Sequence, residues 1–446
     1  MAGNESIFTV ILVDLVIDSN EDLVYAIKNQ ADNQKWIIKS GNYTLNRNFE
    51  DEYGAPTSSQ TGWFFPITAN NLTITGEGTV SITAGEDAEN GVWSSQNFVT
   101  IFGDGVTIDN ITFVPHVDPI DRTTNKSIEI IGNNVVLKDI NIEPKYETSS
   151  GSIYVGSKGI ITTLENVNLN KGRISLTGAD STNVLNLINV IADFAGALNE
   201  DYLGYWNPNG AKVNIENFKV TVSDALSSDD LNDLVANVPA GTIIFMKNGE
   251  YNLGHLEINN SIILTGESKE NTIINVDSDS ISGQAGIYFK GNGTIENLKV
   301  KMNNTGLAAI KASFNSYGML DNVTIQNVIV EGGKSGINIH GVKNAVIDNV
   351  EISGSSAVSL SVASSDVTLK NSNLELGGWG GSIGIMYDPN NLISYPSASV
   401  VHVEDNNTLG IAVYAEYYTH GNKFEFDSNY KVNEVVLGTK KIYTLG

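Results

Sequence analysis

The segment Ile295-Glu-Asn297-Leu-Lys-Val300 carries the pattern that decides the fold: apolar, any residue, asparagine, apolar, any residue, apolar. The pattern recurs along most of the chain, and successive copies within each half start roughly 22–29 residues apart. A period of this size is typical of solenoid proteins. The other copies span 108–113, 137–142, 164–169, 215–220, 320–325, 347–352 and 369–374, with a looser copy at 187–192.

Alternation of apolar and polar residues within each copy indicates a short strand with one buried face. Short strands separated by Gly, Asn and Ser turns at this period predict an all-β fold, the parallel β-helix, whose coils stack about 4.8 Å apart. The recurring asparagine suits a sharp corner, because Asn tolerates left-handed backbone and its amide can bond the Asn one coil away. The predicted asparagine ladder comprises Asn110, Asn166, Asn217, Asn297, Asn322, Asn349 and Asn371.

A second, longer repeat indicates that the chain is duplicated. Residues 19–23 and 39–45 resemble residues 227–231 and 247–253 at one offset of about 208 residues. Each copy opens with Ser-x-x-Asp, which is typical of a capped helix start. A helix there would cover the open apolar end of a coil stack.

The duplication predicts two tandem modules, each opened by a short capping helix. The first module covers 1–222, with a helix near 20–29 and an aromatic loop insertion near 46–69, and the second covers 223–446, with a helix near 228–237. The order of helix, strand, Lys-x-Gly-x-Tyr-x-Leu and Asn-containing coils resembles the right-handed parallel β-helix of the pectin-lyase-like superfamily, and the β-helix modules of bacterial surface and adhesin proteins. That resemblance covers nearly the whole chain and implies surfaces that face polysaccharide.

Composition excludes several classes of function. The chain has 446 residues, no cysteine, and a formal charge of −25 from 51 acidic and 26 basic residues. Disulfides, Cys-ligated metals and thiol nucleophiles are therefore excluded. So few basic residues disfavour nucleic acid and anionic lipid as partners. The apolar run 8–13 is broken by Asp14 and has no preceding lysine, which predicts neither a signal peptide nor a membrane insertion.

Candidates for catalysis are sparse. The superfamily resemblance implies either a basic residue for elimination or paired carboxylates for hydrolysis. The weak catalytic candidates are His340, at a strand end before glycine, with Arg173 and Lys171 in one loop. His340 also suits a plain polar corner residue. Asp277 and Asp279 are weak ligand candidates for calcium, the only cofactor considered, and no firm metal site is predicted.

Aromatic residues outside the aliphatic repeats are candidates for carbohydrate or partner binding. They can cover the side of the solenoid as packed satellites, or form flat platforms for sugar rings or a protein. The binding candidates are Trp63, Tyr205, Trp206, Trp379 and Tyr387.

These observations favour an extracellular or cell-surface protein, non-catalytic and acidic, that binds polysaccharide or a cell-surface protein in the manner of an adhesin or surface-layer component. The first alternative is a pectin-lyase-like polysaccharide lyase or glycoside hydrolase, with carboxylates and a Lys or His on one coil face. The second is a structural or assembly protein, which would form a homo-oligomer.

Overall fold

The structure is a computed structural model. It describes residues 14–45, 65–85, 97–115, 127–144, 152–193, 205–276, 285–303, 306–313, 318–385, 397–404, 406–410 and 412–445. The chain divides into two compact units, Met1–Phe218 and Lys219–Gly446. The sequence places this boundary four residues later, after residue 222.

The first unit contains helix α1, Asn20–Lys28, and two sets of parallel strands. Its long sheet pairs β2, β4, β6, β8, β10 and β13 in succession, and its sheet B contains β3, β5, β7, β9, β12 and β14. The strands are β1 Leu15–Ile17, β2 Lys35–Leu45, β3 Phe65–Ile67, β4 Thr73–Ala84, β5 Val99–Ile101, β6 Thr107–Val114, β7 Ile128–Ile130, β8 Val135–Ile142, β9 Ile153–Val155, β10 Ile161–Glu165, β11 Asn168–Asn170, β12 Ile174–Ser175, β13 Val184–Asp193, β14 Tyr205–Trp206 and β15 Lys212–Val222, within which the unit boundary falls.

The second unit contains helix α2, Ser228–Asn237, and 22 described strands. They are β16 Ile243–Met246, β17 Gly249–Leu253, β18 Leu256–Ile258, β19 Ile262–Gly266, β20 Thr272–Val276, β21 Ala285–Phe289, β22 Gly293–Met302, β23 Ala308–Ser313, β24 Leu320–Gly332, β25 Ser335–His340, β26 Val342–Asp348, β27 Glu351–Ser353, β28 Val358–Ala363, β29 Asp366–Lys370, β30 Asn373–Leu374, β31 Gly381–Ile385, β32 Val400–Val403, β33 Thr408–Leu409, β34 Ala412–Glu416, β35 Lys423–Phe426, β36 Val432–Leu437 and β37 Lys440–Leu445.

Two sheets of the second unit matter for function. The long sheet pairs β16, β19, β22, β24, β26, β29, β32 and β35 in parallel. Sheet C pairs β18, β21, β23, β25, β28, β31 and β34 in parallel, and the antiparallel hairpin of β36 and β37 ends it.

The coils stack in register, so like residues lie above like residues. Ile108 pairs with Leu137 in the first unit, and Ile295 pairs with Ile325 in the second, and all four side chains are fully buried. Parallel strands need crossover connections, here the remainder of each coil. The strand pairing confirms the predicted all-β parallel β-helix, the architecture of the pectin-lyase-like superfamily.

Left-handed asparagines stand at the corners of the long sheets. In the first unit, Asn166 donates to Asp139 Oδ1 at 2.7 Å, and Asn189 and Asn217 each donate to the preceding corner residue at 3.1 Å. These four residues have φ between 50° and 60°. At the first corner Asn110 donates to the carbonyl of Gly76 at 2.8 Å. A side chain that bonds across coils while its backbone turns explains why asparagine recurs at this position.

The second unit corrects one ladder residue. Asn327 donates to Asn297 at 2.7 Å and accepts from Asn349 at 2.9 Å. Asn322 has no left-handed backbone, and its side chain instead meets Asn344 at 3.4 Å. The pattern is ambiguous here because two overlapping segments, 320–325 and 325–330, both match it, the first with Asn322 and the second with Asn327. Asn371 is left-handed and donates to Asp348 at 2.8 Å.

Both helices begin at a serine cap. The amide of Asp22 donates to Ser19 Oγ, and that of Asp230 donates to Ser227 Oγ, each at 3.1 Å. Their inward residues are fully or almost fully buried: Leu23, Ala26 and Ile27 in α1, and Leu231, Leu234 and Val235 in α2. Neither helix, nor any other in the described ranges, is long and apolar enough to cross a membrane.

Candidate functional site

Sheet C carries a row of side chains in register, one from each coil. The row runs through Glu257, Tyr288, Lys311, Asn338, Ser361, Gly384 and Tyr414. We call it the outer row, because the residues that alternate with it, such as Ile287, Ile310 and Ile337, are fully buried in the core. Strand spacing places successive members about 4.8 Å apart. Its first three members, Glu257, Tyr288 and Lys311, are half-buried, whereas the members from Asn338 onward are buried.

Two ammonium groups lie close to one aromatic ring of this row, that of Tyr288. Lys290 Nζ lies 5.2 Å from the ring centroid of Tyr288, and Lys311 Nζ lies 4.6 Å from it. Both distances are within the range of a cation–π interaction. We call Tyr288, Lys290 and Lys311 the lysine–tyrosine patch. All three side chains are half-buried, so the patch is open to solvent.

Glu257 neutralises one of the two lysines. Its Oε1 lies 2.5 Å from Lys290 Nζ and 3.2 Å from His255 Nε2. The Ala285 carbonyl can only accept, so His255 Nδ1 donates to it, at 2.6 Å. Burial acts to raise the pKa of Glu257, but the hydrogen bonds from Lys290 and His255 outweigh it and hold that pKa below its ordinary value.

Lys311 has no such partner. No carboxylate of the described ranges lies within ion-pair distance of its ammonium group, although most lysines of the second unit's long sheet are paired, for example Lys299 with Glu331 at 2.5 Å. An ammonium group held on a ring without a counter-ion is a natural site for an external anion. The patch therefore combines one neutralised and one available positive charge.

Buried polar groups continue the site beyond Lys311. Asn338 is 3% exposed, and its Oδ1 has no hydrogen-bond partner among the described residues. A buried acceptor without a donor costs about 1–3 kcal/mol. His340 Nε2 lies 3.3 Å from Ser361 Oγ. Burial, with a smaller contribution from the charge of Lys311, lowers the pKa of His340 to about 3, so its ring is neutral at pH 7.

The three catalytic candidates belong to different units. His340 lies on sheet C of the second unit, beside the outer row and close enough to Lys311 to feel its charge. Lys171 and Arg173 lie in the first unit, between β11 and β12, where Lys171 has φ of 51° and the Arg173 carbonyl accepts from Ile153.

The aromatic candidates differ in accessibility. Tyr205 is 1% exposed and packs against Phe218 at 5.9 Å between ring centroids. The interpretation of Tyr205 as a binding residue is therefore wrong, because its ring belongs to the core. Trp206 is 37% exposed and Trp379 is 57% exposed. Trp63 and Tyr387 lie outside the described residues, as do Asp277 and Asp279.

Within the described ranges, no group of three His, Asp or Glu side chains is placed to hold a metal ion. Calcium binding by Asp277 and Asp279, which lie outside the described residues, thus stays a prediction.

The sequence contains a signal for the outer row. Tyr288, Lys311, Asn338 and Ser361 are separated by roughly one coil period each, so a search of aligned outward positions would have found them. Polar and aromatic residues at those positions are otherwise ordinary for a strand, and the asparagine motif lies on the long sheet instead.

Neither a protein-family model nor a curated protein matches the chain. Similar solved structures include the PL6 family alginate lyase AlyGC, with 8% identity, 93% of this chain and 99% of that chain covered, and a TM-score of 0.27. Another is the A-module of the Azotobacter vinelandii mannuronan C-5 epimerase AlgE4, with 9% identity, coverage of 93% and 94%, and a TM-score of 0.26. The A-module of the epimerase AlgE6 has 10% identity, coverage of 90% and 84%, and a TM-score of 0.22. Similarity of this degree assigns neither family nor activity.

Proposed function

We propose that the second unit binds an acidic, uronate-containing polysaccharide on sheet C and cleaves it by β-elimination. One observation carries this proposal: the ammonium groups of Lys290 and Lys311 both lie over the ring of Tyr288, at 5.2 and 4.6 Å from its centroid. The first alternative from the sequence, a polysaccharide lyase, thus gains a specific set of residues.

The patch suits a sugar carboxylate better than other anions. An aromatic ring packs against the C–H face of a sugar, while the ammonium group beside it pairs with the carboxylate. The protein has a net charge of −25, so its general field repels polyanions. Binding therefore depends on local charges that have no counter-ion among the described residues, and Lys311 is such a charge.

The elimination assigns a role to each group. Lys311, aided by Lys290, neutralises the uronate carboxylate and stabilises the negative charge that develops on its α-carbon. Tyr288, reacting as the tyrosinate, takes the proton from that carbon on Oη as general base. The bond from the β-carbon to the glycosidic oxygen then breaks with its electron pair, a carbon–carbon double bond forms, and the leaving oxygen takes a proton from Tyr288 or water.

The test is a panel of polyuronates, including alginate and pectate, and neutral polysaccharides, read for binding and for the ultraviolet absorbance of the unsaturated product. Tyr288→Phe is expected to abolish turnover while binding persists, and Lys311→Gln is expected to weaken binding about tenfold or more. Lys343→Gln is the matched control, because Lys343 is exposed and paired with Asp321 at 2.6 Å. Absence of both binding and turnover on every polyuronate would refute the proposal.

A second candidate function is non-catalytic binding of the same polymer. The ion pair between Glu257 and Lys290 favours it, because the one described carboxylate at the patch is already engaged. Binding without product absorbance, unchanged in Tyr288→Phe, would select this candidate.

The proposal includes three further predictions, on cellular location, calcium binding and oligomeric state. Matrix and cell-wall polysaccharides lie outside cells, so an extracellular or cell-surface location is expected. Assays with calcium and with a chelator would test the Asp277 and Asp279 candidates. Light scattering would test the homo-oligomer, and a cell-surface protein partner is the remaining prediction.

A further inference from the structure

A second lysine on an aromatic ring lies at the edge of sheet C where its strands begin. Lys334 Nζ is 5.6 Å from the ring of Trp379. Lys334 directly precedes β25, and Trp379 lies two residues before the start of β31. Both side chains are exposed, Trp379 by 57%. The pair repeats the chemistry of Lys311 on Tyr288.

The turn that carries Trp379 is held rigidly against the preceding coil. Its backbone amide donates to the Ala357 carbonyl at 2.9 Å. A Cβ at Gly377 would lie 2.1 Å from the Ala357 carbonyl oxygen, and one at Gly378 would lie 2.3 Å from that of Ser356. Only glycine therefore permits so close an approach. The backbone that carries the exposed indole is thus held in place while the ring stays accessible, which favours binding over packing.

Lys334 is anchored in the same way. Its amide donates to Gly306 at 3.0 Å, and its carbonyl accepts from Ala357 at 2.8 Å. No carboxylate of the described ranges forms an ion pair with its side chain, as for Lys311. In a chain with 51 acidic residues, Lys311 and Lys334 each rest on a ring without an ion pair to a described carboxylate, so each ammonium group can pair with an external anion.

The two sites are within reach of one oligosaccharide. Lys311 pairs with Asn338, and Asn338 is four residues along the chain from Lys334. At about 3.3 Å per residue along a strand and about 4.8 Å between strands, the Cα atoms of Lys311 and Lys334 are roughly 14 Å apart. That span corresponds to several sugar residues.

We propose that Trp379 and Lys334 form a second subsite, which holds another uronate residue of the polymer bound at the lysine–tyrosine patch. The inference rests on the proposed function and adds to it a minimum oligosaccharide length for tight binding. A short oligosaccharide occupies the patch alone, whereas a longer one occupies both sites and binds more tightly.

The experiment measures the affinity of the full chain for a ladder of oligouronates from disaccharide upward, made from whichever polyuronate the panel identifies. In the unsubstituted protein, affinity is expected to rise at the length that spans both sites. Trp379→Ala and Lys334→Gln are each expected to lower the affinity of the longer oligomers about tenfold and to leave the disaccharide unchanged. Trp379→Phe is expected to retain most of the gain.

Tyr25→Ala is the matched control, since Tyr25 is an equally exposed aromatic residue on α1. A length-independent affinity, or an equal loss for short and long oligomers, would overturn the second subsite while the proposed function stands. Failure of the unsubstituted protein to bind any oligomer would instead overturn the proposed function, and this inference with it. Because Trp379 and Lys334 are exposed, both variants should keep the melting temperature of the parent.

Discussion

Tyr43 and Tyr251 make the same hydrogen bonds in the two units. Tyr43 Oη donates to the carbonyl of Lys39 at 2.8 Å and lies 3.2 Å from that of Ile17. Tyr251 Oη stands at 2.9 and 3.2 Å from the carbonyls of Lys247 and Val222. Burial raises the pKa of both phenols. The repeated Lys-x-Gly-x-Tyr motif thus has a structural purpose, the satisfaction of backbone acceptors at a strand bend.

At a corner, the left-handed backbone distinguishes Asn327 from Asn322. Asn327→Leu is expected to destabilise the second unit by about 2–4 kcal/mol, since leucine resists positive φ and two ladder hydrogen bonds are lost. Asn322→Leu is the control and is expected to cost less than about 0.5 kcal/mol, because Asn322 is exposed with ordinary φ. Urea unfolding measures both, and equal losses would contradict the ladder as described.

His340 makes stability depend on pH. Its folded pKa, about 3, lies below its unfolded value of about 6.5, so between these values only the unfolded state binds the proton. Stability is therefore complete above pH 6.5 and falls as the pH drops toward 3, by up to about 1.4 kcal/mol per unit. His340→Gln should flatten this slope in urea unfolding at pH 4–7. The exposed His420→Gln is the control, and an unchanged slope in His340→Gln would refute the assignment.

Among elements, the helix starts depend on one hydroxyl each. At α2, Ser227 Oγ accepts from the Asp230 amide at 3.1 Å, and the Ser227 amide donates to the Asp230 carboxylate at 3.3 Å. Ser227→Ala is expected to cost about 1 kcal/mol in chemical unfolding, whereas Ser227→Asp is expected to cost little, since aspartate caps equally well. Similar losses in both variants would show that the cap does not limit the stability of α2.

The sequence predicted the strands better than the site, for a physical reason. Each coil must bury apolar residues at the same positions, so stacked pairs such as Ile295 and Ile325 appear in the sequence as a periodic apolar pattern. The corner position repeats as well, yet 320–325 and 325–330 both match the pattern, and only backbone geometry selects Asn327. Tyr288 and Lys311 lie outside the core and are not part of this periodic apolar pattern. Their function depends on an exposed neighbour in the next coil, which becomes visible only once the register of sheet C is known.

At the scale of the whole chain, charge and function oppose each other. A net charge of −25 keeps a long β-sheet protein soluble but repels an acidic polymer. Most lysines of the second unit's long sheet form ion pairs, such as Lys299 with Glu331 at 2.5 Å. Lys311 and Lys334 rest on aromatic rings without an ion pair to a described carboxylate, and polymer binding therefore depends on them.

The boundary between the units gives a test of independent folding. Lys219–Val222, the last four residues of β15, pair with Ile243–Met246 of the second unit. Val220 and Val222 are fully buried, and the Val222 carbonyl accepts from the Lys247 amide at 3.0 Å. A fragment of residues 223–446 would lose this strand, whereas residues 219–446 would keep it.

We therefore expect fragment 219–446 to unfold cooperatively in urea and to exceed fragment 223–446 in stability by about 3–6 kcal/mol, the contribution of two buried valines. Far-ultraviolet circular dichroism would follow both transitions, with the full chain as reference. Equal stability of the two fragments would place the boundary after residue 222, as the sequence repeat does. Aggregation of both would show that the second unit needs the first in order to fold, because the four residues alone cannot then close the exposed edge of β16.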